Sequence, residues 1–261
     1  MKRALMFASA MLLLANALPV AARAQGAIIE TLDDLKDVAE APGFRGALPA
    51  NVDLSATLPP PGDQGSSGSC TSWAVTYGAA SQALRRAGLG SSLRLSPAFT
   101  YNRVGNDPIC QLGTAASVTL NMLRDVGGLP FEKYVFDAGW CGRVPSSEEL
   151  QQAARYRIKG WTKISDAKKV EDVKAQLARG VPVIFDMHVS EQFEQFKGNS
   201  VLDIPGVMSG GGHTMLAIGY DDSRKAFRIQ NSWGRKFGEG GYAWLSYDFW
   251  VRNVGLGYVI D

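Results

Sequence analysis

A short turn rich in glycine and serine, Gln64-Gly65-Ser66-Ser67-Gly68-Ser69, leads into a cysteine where a helix is predicted to begin. After Cys70, apolar residues recur at the spacing of one helical face: Trp73, Tyr77, Ala80 and Leu84. A thiol in the first turn of a helix lies at the positive end of the helix dipole, near unpaired backbone N–H groups, and both favour the thiolate. The turn therefore predicts a fold built around a nucleophilic Cys70.

Residues 1–24 have the pattern of a secretory signal peptide. A basic start, Met1-Lys2-Arg3, precedes an apolar run from Ala4 to Leu18, and Ala22-Arg23-Ala24 offers small residues where a signal peptidase cuts. The apolar run is short for a membrane span, so an uncleaved anchor is the less favoured alternative. We predict export to a periplasm or to the exterior, with no stable membrane insertion after cleavage.

Cleavage after Ala24 would remove three positive charges and take the formal net charge from +2 to −1. A near-neutral chain without a long basic run gives no electrostatic basis for binding nucleic acid or an anionic membrane surface. The remaining length suffices for one domain or two closely packed lobes. We expect a monomer with no nucleic-acid partner.

The chain contains three cysteines. In an exported protein two of them can form a disulfide, and the third remains a free and reactive thiol. Cys110 and Cys141 lie 31 residues apart in loop-like contexts, so a disulfide between them would close a loop of moderate length. Cys70 would then be the free thiol.

The sequence pattern changes character near Arg157. The first half predicts helices, with a serine cap before Pro97 and a capping box that begins at Ser146. The second half predicts a helix capped by Asp166 and strands at 156–163, 181–187, 213–220, 226–230 and 241–246. We predict an α+β protein of two lobes with a cleft between them, a helical lobe over about 60–155 and an antiparallel sheet or barrel over about 156–261.

A thiolate nucleophile requires a base, and the chain has only two histidines. His213 follows Gly210-Gly211-Gly212 and begins an apolar strand, where a substrate can approach its ring closely. His188 ends another strand, and a surface histidine is the simpler interpretation there. His213 is therefore the predicted base.

An asparagine can hold such a base, because its carbonyl accepts from an imidazole N–H and fixes the tautomer without adding charge. Asn231 lies in Gln230-Asn231-Ser232-Trp233-Gly234, where the indole of Trp233 could keep water from that bond. Taken alone, these five residues favour a purely structural turn. Their occurrence together with Cys70 and His213 favours the catalytic interpretation.

Four motifs together resemble the papain-like cysteine peptidases: Gln64 to Cys70, Gly212 to Tyr220, Asn231 to Gly234 and Gly238 to Tyr242. His213 lies 143 positions after Cys70, within the family's range of about 130 to 150. Leu48 to Leu54 resembles the family's mature start, so the resemblance extends over about 48–261. It implies a papain-like fold in a bacterial-type exported member with a short leader.

The resemblance also implies a cysteine-type endopeptidase in which Cys70 is the nucleophile, His213 the general base and acid, and Asn231 the residue that orients the imidazole. Gln64 would join the Cys70 N–H in the oxyanion hole, and Trp233 would cover the bond between the histidine and the asparagine. By approximate alignment, the residues lining the substrate pocket are Gly113, Thr114, Met187, Gly211 and Thr214. Polypeptides are the expected substrates, and no cofactor or metal is expected.

The chain departs from the family pattern at three positions. Ser67 stands where most relatives have a cysteine, so a second family disulfide is impossible, whereas Cys110 and Cys141 correspond to one that the family has. Thr71 replaces the usual tryptophan, and Gly212 replaces an aspartate frequent in plant members. None of these changes removes a catalytic atom.

Residues 25–47 form a leader far shorter than the family's usual pro-segment, with a short helix predicted over 31–38. We expect this leader either to lie in or beside the cleft and restrain activity, or to be a disordered tether; an inhibitory pro-segment or another protein is the expected inhibitor. The alternatives for function are another thiol acyl transfer, such as an amidase or transglutaminase-like reaction, and a non-catalytic binding protein on a peptidase scaffold. Retention of all four catalytic side chains argues against the binding protein.

Overall fold

The computed structural model describes residues 26–43, 46–105, 109–139, 141–208 and 210–261. The predicted signal peptide, residues 1–24, lies outside these ranges. Within them, helices dominate the first half of the chain and a large sheet the second half, which is the α+β arrangement that the sequence predicted.

The helical lobe is organised around one long helix that begins at Cys70. Three consecutive pieces form it: α1 (Cys70–Ser72), π-helical turns (Trp73–Ala80) and α2 (Ser81–Arg86). Every residue from 70 to 82 is buried, so this helix is surrounded on all sides by protein. Three further helices of this lobe are α3 (Pro97–Val104), α4 (Ala116–Asp125) and α5 (Ser147–Ala153).

The helix caps that the sequence predicted are present. Ser96 Oγ accepts from the Phe99 N–H at the start of α3, and Pro97 occupies the first helical position. At α5, Ser146 and Glu149 exchange side-chain and backbone hydrogen bonds in a capping box. These local interactions fix where each helix begins.

The described strands are β1 (Ala27–Ile28), β2 (Asn51–Asp53), β3 (Thr114–Ala115), β4 (Trp161–Ile164), β5 (Val183–His188), β6 (Val201–Leu202), β7 (Gly212–Asp221), β8 (Ala226–Gln230), β9 (Tyr242–Ser246) and β10 (Gly257–Ile260). β1 and β3 pair with each other in parallel. The other eight form one sheet in the order β4-β10-β5-β7-β8-β9-β6, with β2 paired to β7. Its pairs are antiparallel, except that β6 and β9 are parallel.

The helical lobe and the sheet share one hydrophobic core. Val75 and Ala79 of the long helix belong to the same buried cluster as Phe185 on β5 and Leu216 on β7. The helix approaches the sheet closely at Gly78, where a Cβ would lie 2.3 Å from the Leu216 side chain. The sheet is flanked by α6 (Val170–Ala178), α7 (Glu191–Glu194) and α8 (Tyr247–Asn253). The shared core holds β7 at a fixed position relative to Cys70.

Three sequence-based boundaries differ from the structure. Residues 31–38 form hydrogen-bonded turns rather than a helix, because the carbonyls of Leu35 and Val38 accept from the Lys163 ammonium, each at 2.8 Å. The residue before α6 is Lys169, since Asp166 is part of a preceding turn. Residues 154–156 form a 3₁₀ turn, so the strand predicted over 156–163 begins only at Trp161.

Cys110 and Cys141 form a disulfide, with their Cα atoms 5.5 Å apart, and Cys70 is a free cysteine. The bond closes a loop of the helical lobe next to the Gln64 turn, because the Gly68 N–H donates to the Cys110 carbonyl at 2.8 Å. No helix in the described ranges combines the length and the apolar character needed to span a bilayer.

Candidate active site

The turn before Cys70 is held by buried hydroxyl groups. Ser67 Oγ donates to the Gln64 carbonyl at 2.8 Å and lies 2.6 Å from Ser69 Oγ. Gly65 has a φ of 58°, a conformation that glycine adopts without strain. Ser67 cannot form the disulfide that a cysteine at this position would allow. It stabilises the turn by hydrogen bonds instead.

Cys70 begins the long helix and is fully buried. Burial raises the pKa of its thiol, while hydrogen bonds with the backbone of Thr214 and of Gly26 and with the Thr71 side chain act in the opposite direction. The raised pKa of the Cys70 thiol is the opposite of the lowered pKa that the sequence predicted. In this form of the molecule the leader residue Gly26 lies against the thiol, so desolvation is the largest influence on its titration.

His213 is held from two sides. Its Nε2 donates to Asn231 Oδ1 at 2.7 Å, and Asn231 Oδ1 also accepts from the Ser232 N–H at 2.7 Å, which fixes the amide. The indole of Trp233 stacks on the imidazole, with ring centroids 4.3 Å apart and planes inclined by 24°. With Nε2 turned toward the asparagine, Nδ1 is the ring nitrogen on the opposite side.

Two threonines join the helix of Cys70 to the strand of His213. Thr71 Oγ1 lies 2.9 Å from Thr214 Oγ1 and 2.9 Å from the Thr114 carbonyl oxygen. The structure therefore brings the residues next to the predicted nucleophile and next to the predicted base into direct contact, although 143 positions separate them. Thr71, at the position where the family usually has tryptophan, forms this link.

Gln64 connects the turn to the segment that carries Asn231. Its backbone N–H donates to the Ser232 carbonyl and its Oε1 accepts from Ser232 Oγ, both at 2.8 Å. Its Nε2 donates to the Ser67 carbonyl at 2.8 Å. The side chain is fully buried, so its amide is held at one position beside the turn that ends in Cys70.

The other residues that the sequence singled out differ in burial and in the residues they contact. His188 is exposed and its Nδ1 donates to the Gly210 carbonyl at 2.7 Å, which agrees with the surface interpretation. Met187 is buried in the main core, and Gly211 is exposed, with its carbonyl accepting from the Val189 N–H. Gly113, Thr114 and Thr214 lie next to the leader or to Cys70.

Leader residues occupy the space above Cys70. The Gly26 carbonyl accepts from the Thr114 N–H at 2.8 Å, and β1 continues alongside β3. Three glycines make this approach possible, because a Cβ on any of them would lie too close to a carbonyl oxygen. The distances would be 1.9 Å from Gly26 to Gly68 O, 1.9 Å from Gly113 to Gly26 O and 2.3 Å from Gly212 to Ala27 O.

Further contacts attach the leader to the body of the protein. Leu35 is almost fully buried in the main core, and the Lys163 ammonium binds the carbonyls of Leu35 and Val38. Gln176 Nε2 donates to the Pro42 carbonyl at 2.9 Å. Residues 26–43 are thus packed into the same structure as the rest of the chain.

Sequence reasoning missed a polar cluster beside Cys70. Asp186 on β5 is buried, and its Oδ1 lies 2.6 Å from Thr214 Oγ1. Burial raises its pKa to about 7, against the opposing influence of the Thr214 hydrogen bond. The cluster also contains Glu30 and Tyr258, whose hydroxyl donates to Glu30 Oε2 at 3.0 Å. The available signal was a single carboxylate within an otherwise apolar predicted strand.

The sequence matches the family described as papain family cysteine protease over residues 48–253. An uncharacterized peptidase C1-like protein of Acanthamoeba polyphaga mimivirus is 25% identical over 216 residues, covering 72% of this chain and 68% of that protein. A cysteine protease of Blomia tropicalis is 29% identical over 216 residues, covering 77% of this chain and 62% of that protein.

Solved structures agree with this match. Xylellain, a cysteine protease from Xylella fastidiosa, has a TM-score of 0.80 at 25% identity, covering 92% of this chain and 96% of that chain. Digestive procathepsin L 3 of the Tenebrio molitor larval midgut has a TM-score of 0.72 at 19% identity, covering 92% of this chain and 76% of that chain, which is a likeness of fold. Since the family match extends over most of the sequence, the chain belongs to the papain family of cysteine proteases.

Proposed function

We propose that this cysteine peptidase is an endopeptidase in which Cys70, His213 and Asn231 carry the chemistry. The Cys70 thiolate attacks the peptide carbonyl carbon and forms a tetrahedral oxyanion. His213 protonates the leaving amine as the C–N bond breaks, which leaves a thioester on Cys70. A water molecule, deprotonated by His213, then releases the carboxylate product and regenerates the thiol.

The oxyanion requires donors placed where the negative charge develops. We assign these roles to the Cys70 backbone N–H, at the start of a helix, and to the amide nitrogen of Gln64. The Gln64 side chain is fully buried and its amide is held by hydrogen bonds, which supports this assignment. A donor that is fixed and shielded from water need not reorganise during the reaction.

The observation that carries the proposal is the orientation of His213. Asn231 binds its Nε2 and Trp233 covers its face, while the bond between Thr71 and Thr214 holds its strand against the helix of Cys70. An imidazole that served only for packing would not need an amide acceptor and a stacked indole.

Treatment with a thiol-directed peptidyl epoxide tests this function. We expect one adduct, on Cys70, identified by mass spectrometry of the digested protein, and loss of peptide hydrolysis in proportion to labelling. The products distinguish the alternatives, because an endopeptidase releases two peptides, whereas an acyltransferase incorporates an added amine. Hydrolysis that persists after complete labelling would contradict the proposed mechanism.

Replacement of Gln64 by alanine is expected to lower kcat for peptide hydrolysis by roughly 10² to 10³, the usual effect of removing one oxyanion donor. KM should change little, because the contact forms mainly in the transition state. Gln230→Ala is the matched control: this buried glutamine donates to the Pro59 carbonyl and has no proposed catalytic role. Equal losses in both variants would indicate a structural effect only.

We also propose that the leader restrains the enzyme. A substrate must reach Cys70, and Gly26 to Ile28 lie over it and pair with the edge formed by Thr114 and Ala115. Deletion of the leader is a poor test, because it would leave the buried Lys163 ammonium without the carbonyls of Leu35 and Val38. A point substitution that obstructs the leader is therefore preferable.

Gly212→Ala is expected to increase peptide hydrolysis by the full-length chain by about ten- to hundredfold, since its Cβ would lie 2.3 Å from the Ala27 carbonyl oxygen. Gly255→Ala is the control, because a Cβ there meets nothing within 4 Å. Initial rates and the rate of Cys70 alkylation should rise together. Unchanged rates in Gly212→Ala would argue against inhibition by the leader.

Export is proposed from the signal-like residues 1–24, which lie outside the described ranges, and from the disulfide between Cys110 and Cys141, a bond typical of oxidising compartments. N-terminal sequencing of the protein expressed in a bacterial host should give Gln25 as the first residue in the periplasmic or extracellular fraction. An intact Met1 in the cytosolic fraction would contradict export.

A further inference from the structure

The leader side chain of Glu30 enters a polar pocket formed with Ser117 and Tyr258. Glu30 is half-buried, and its carboxylate accepts from the Ser117 N–H at 3.0 Å, from Ser117 Oγ and from the Tyr258 hydroxyl at 3.0 Å. The backbone of this segment runs along β3, which lies beside Cys70. The pocket is therefore placed to receive a side chain from any extended peptide that occupies the cleft.

Asp186 contributes a second carboxylate to this pocket. It is only 6% exposed, and its Oδ1 lies 2.6 Å from Thr214 Oγ1. The Tyr258 hydroxyl, which is close to both carboxylates, has a single proton and donates it to Glu30. Among the described residues, Asp186 Oδ2 has no hydrogen-bond partner within bonding geometry.

A buried carboxylate oxygen without a partner is costly, and the cost is largest when the group is ionised. The residues flanking it on β5, from Val183 to Met187, are buried and mostly apolar, so nothing on that strand compensates the charge. A second carboxylate, such as that of Glu30, adds repulsion unless a proton is shared. A cationic side chain would supply both the missing donor and the opposite charge.

Asp186 is also coupled to the catalytic elements. It lies opposite Thr214 in the pairing of β5 with β7, and Thr214 follows His213 and contacts Thr71, the residue after Cys70. The carboxylate is thus linked through two threonine side chains to the residue that follows Cys70.

We infer that Asp186 is a specificity-determining residue, which selects substrates that place an arginine or lysine side chain in the pocket now filled by Glu30. This inference rests on the proposed peptidase function of the same site. In the substrate complex, the guanidinium or ammonium group donates to Asp186 Oδ2, and the hydroxyls of Tyr258 and Ser117 face it as acceptors. Substrates with an acidic side chain at this position are disfavoured.

The test is the cleavage of a set of peptides by the full-length chain that carries Glu30→Ala. This substitution removes the side chain that fills the pocket. The set carries arginine, citrulline, leucine or glutamate at each of the three residues before the scissile bond. We expect kcat/KM to be about ten- to hundredfold higher for arginine than for citrulline, its neutral isostere, at one of these positions. Asp186→Asn should abolish that difference, and Asp248→Asn, at an exposed position on α8, should not.

Labelling of Cys70 by peptidyl epoxides with the same side chains distinguishes a failure of the proposed peptidase function from a failure of the proposed selection by Asp186. Preferential labelling by the arginine compound without hydrolysis of any peptide would support the pocket assignment and contradict the proposed function. Hydrolysis without an arginine preference, or with a preference for glutamate, would overturn the assignment and leave the function standing. The comparison of arginine with citrulline uses the unmutated aspartate, so it decides the question even where Asp186→Asn does not fold.

Discussion

Replacement of Cys70 by alanine is expected to reduce peptide hydrolysis by a factor on the order of 10⁶, the size of effect seen when the nucleophile of a comparable catalytic triad is removed. Without the sulfur no thioester can form, and neither His213 nor Gln64 supplies another nucleophile. The fold should persist, because deleting one buried sulfur atom leaves only a small cavity next to Gly26 and Thr214. Initial rates with an internally quenched peptide and the melting temperature measure the two effects.

Cys70→Ala and its control Cys70→Ser are best made in the Gly212→Ala background, which is expected to displace the leader, and compared with Gly212→Ala alone. Cys70→Ser is the matched control, since it keeps the volume and a hydrogen-bonding group but has no readily ionised thiol. It should be almost as inactive as the alanine variant and should melt close to the parent temperature. Substantial activity in Cys70→Ala would refute the thiol mechanism.

Most of the fold could be predicted from local patterns in the sequence. The caps at Ser96 and Ser146 and the strand at 226–230 depend on neighbouring residues, so one-dimensional reasoning locates them correctly. The leader turns could not be predicted in this way. Their carbonyls bind Lys163, which is more than 120 positions away along the chain, and such a tertiary contact overrides a helical pattern.

In the candidate site, too, residues in local motifs could be predicted from the sequence, whereas residues placed by tertiary contacts could not. Cys70, His213 and Asn231 could be proposed from the sequence because each occurs in a short motif whose residue types suit the chemistry. The role proposed for Asp186 could not be inferred from the sequence, since its position next to Thr214 depends on the pairing of β5 with β7. Thr71 illustrates both cases, as its identity was noticed in the sequence but its bond to Thr214 required the structure.

Proton counting indicates how Asp186 and Glu30 coexist in one pocket. Three short contacts run from the Thr114 carbonyl through Thr71 and Thr214 to Asp186, and the two hydroxyls supply only two protons. All three contacts can be hydrogen bonds only when Asp186 carries the third proton. That requirement agrees with the rise of the Asp186 pKa to about 7, which burial causes and the nearby Glu30 increases further.

The proposed restraint by the leader is therefore expected to weaken as pH rises toward 7. With the leader seated, burial raises the pKa of Asp186 from its ordinary value of 3.8 to about 7, and the leader carboxylate of Glu30 adds to this rise. The part of the rise that the leader causes is lost on release, so seating takes up a proton within the interval between these values. Among the described residues, Glu30 on the leader, Tyr258 on β10 and Cys70 on α1 are titratable groups that interact with Asp186. Burial raises the pKa of both Tyr258 and Cys70, which keeps them neutral in this interval.

The sign and the limit of the effect follow from this linkage. Below pH 4, Asp186 is protonated whether the leader is seated or released, and above pH 7 it is ionised in both states, so the seating equilibrium is flat at both ends. Between them, seating weakens by up to about tenfold per pH unit, or about a thousandfold in total if release returns the pKa to its ordinary value.

The measurement is the ratio of peptide hydrolysis rates of the unmodified chain and of Gly212→Ala at each pH from 5 to 8. Dividing by Gly212→Ala removes the pH dependence of the catalytic groups that both proteins share. The ratio should be smallest at pH 5, rise to about pH 7 and then stay constant. The Asp186→Asn pair should give a flat ratio, because asparagine has no proton to take up; a ratio in the parent pair that is flat or falls with rising pH would contradict the coupling between Asp186 and the leader.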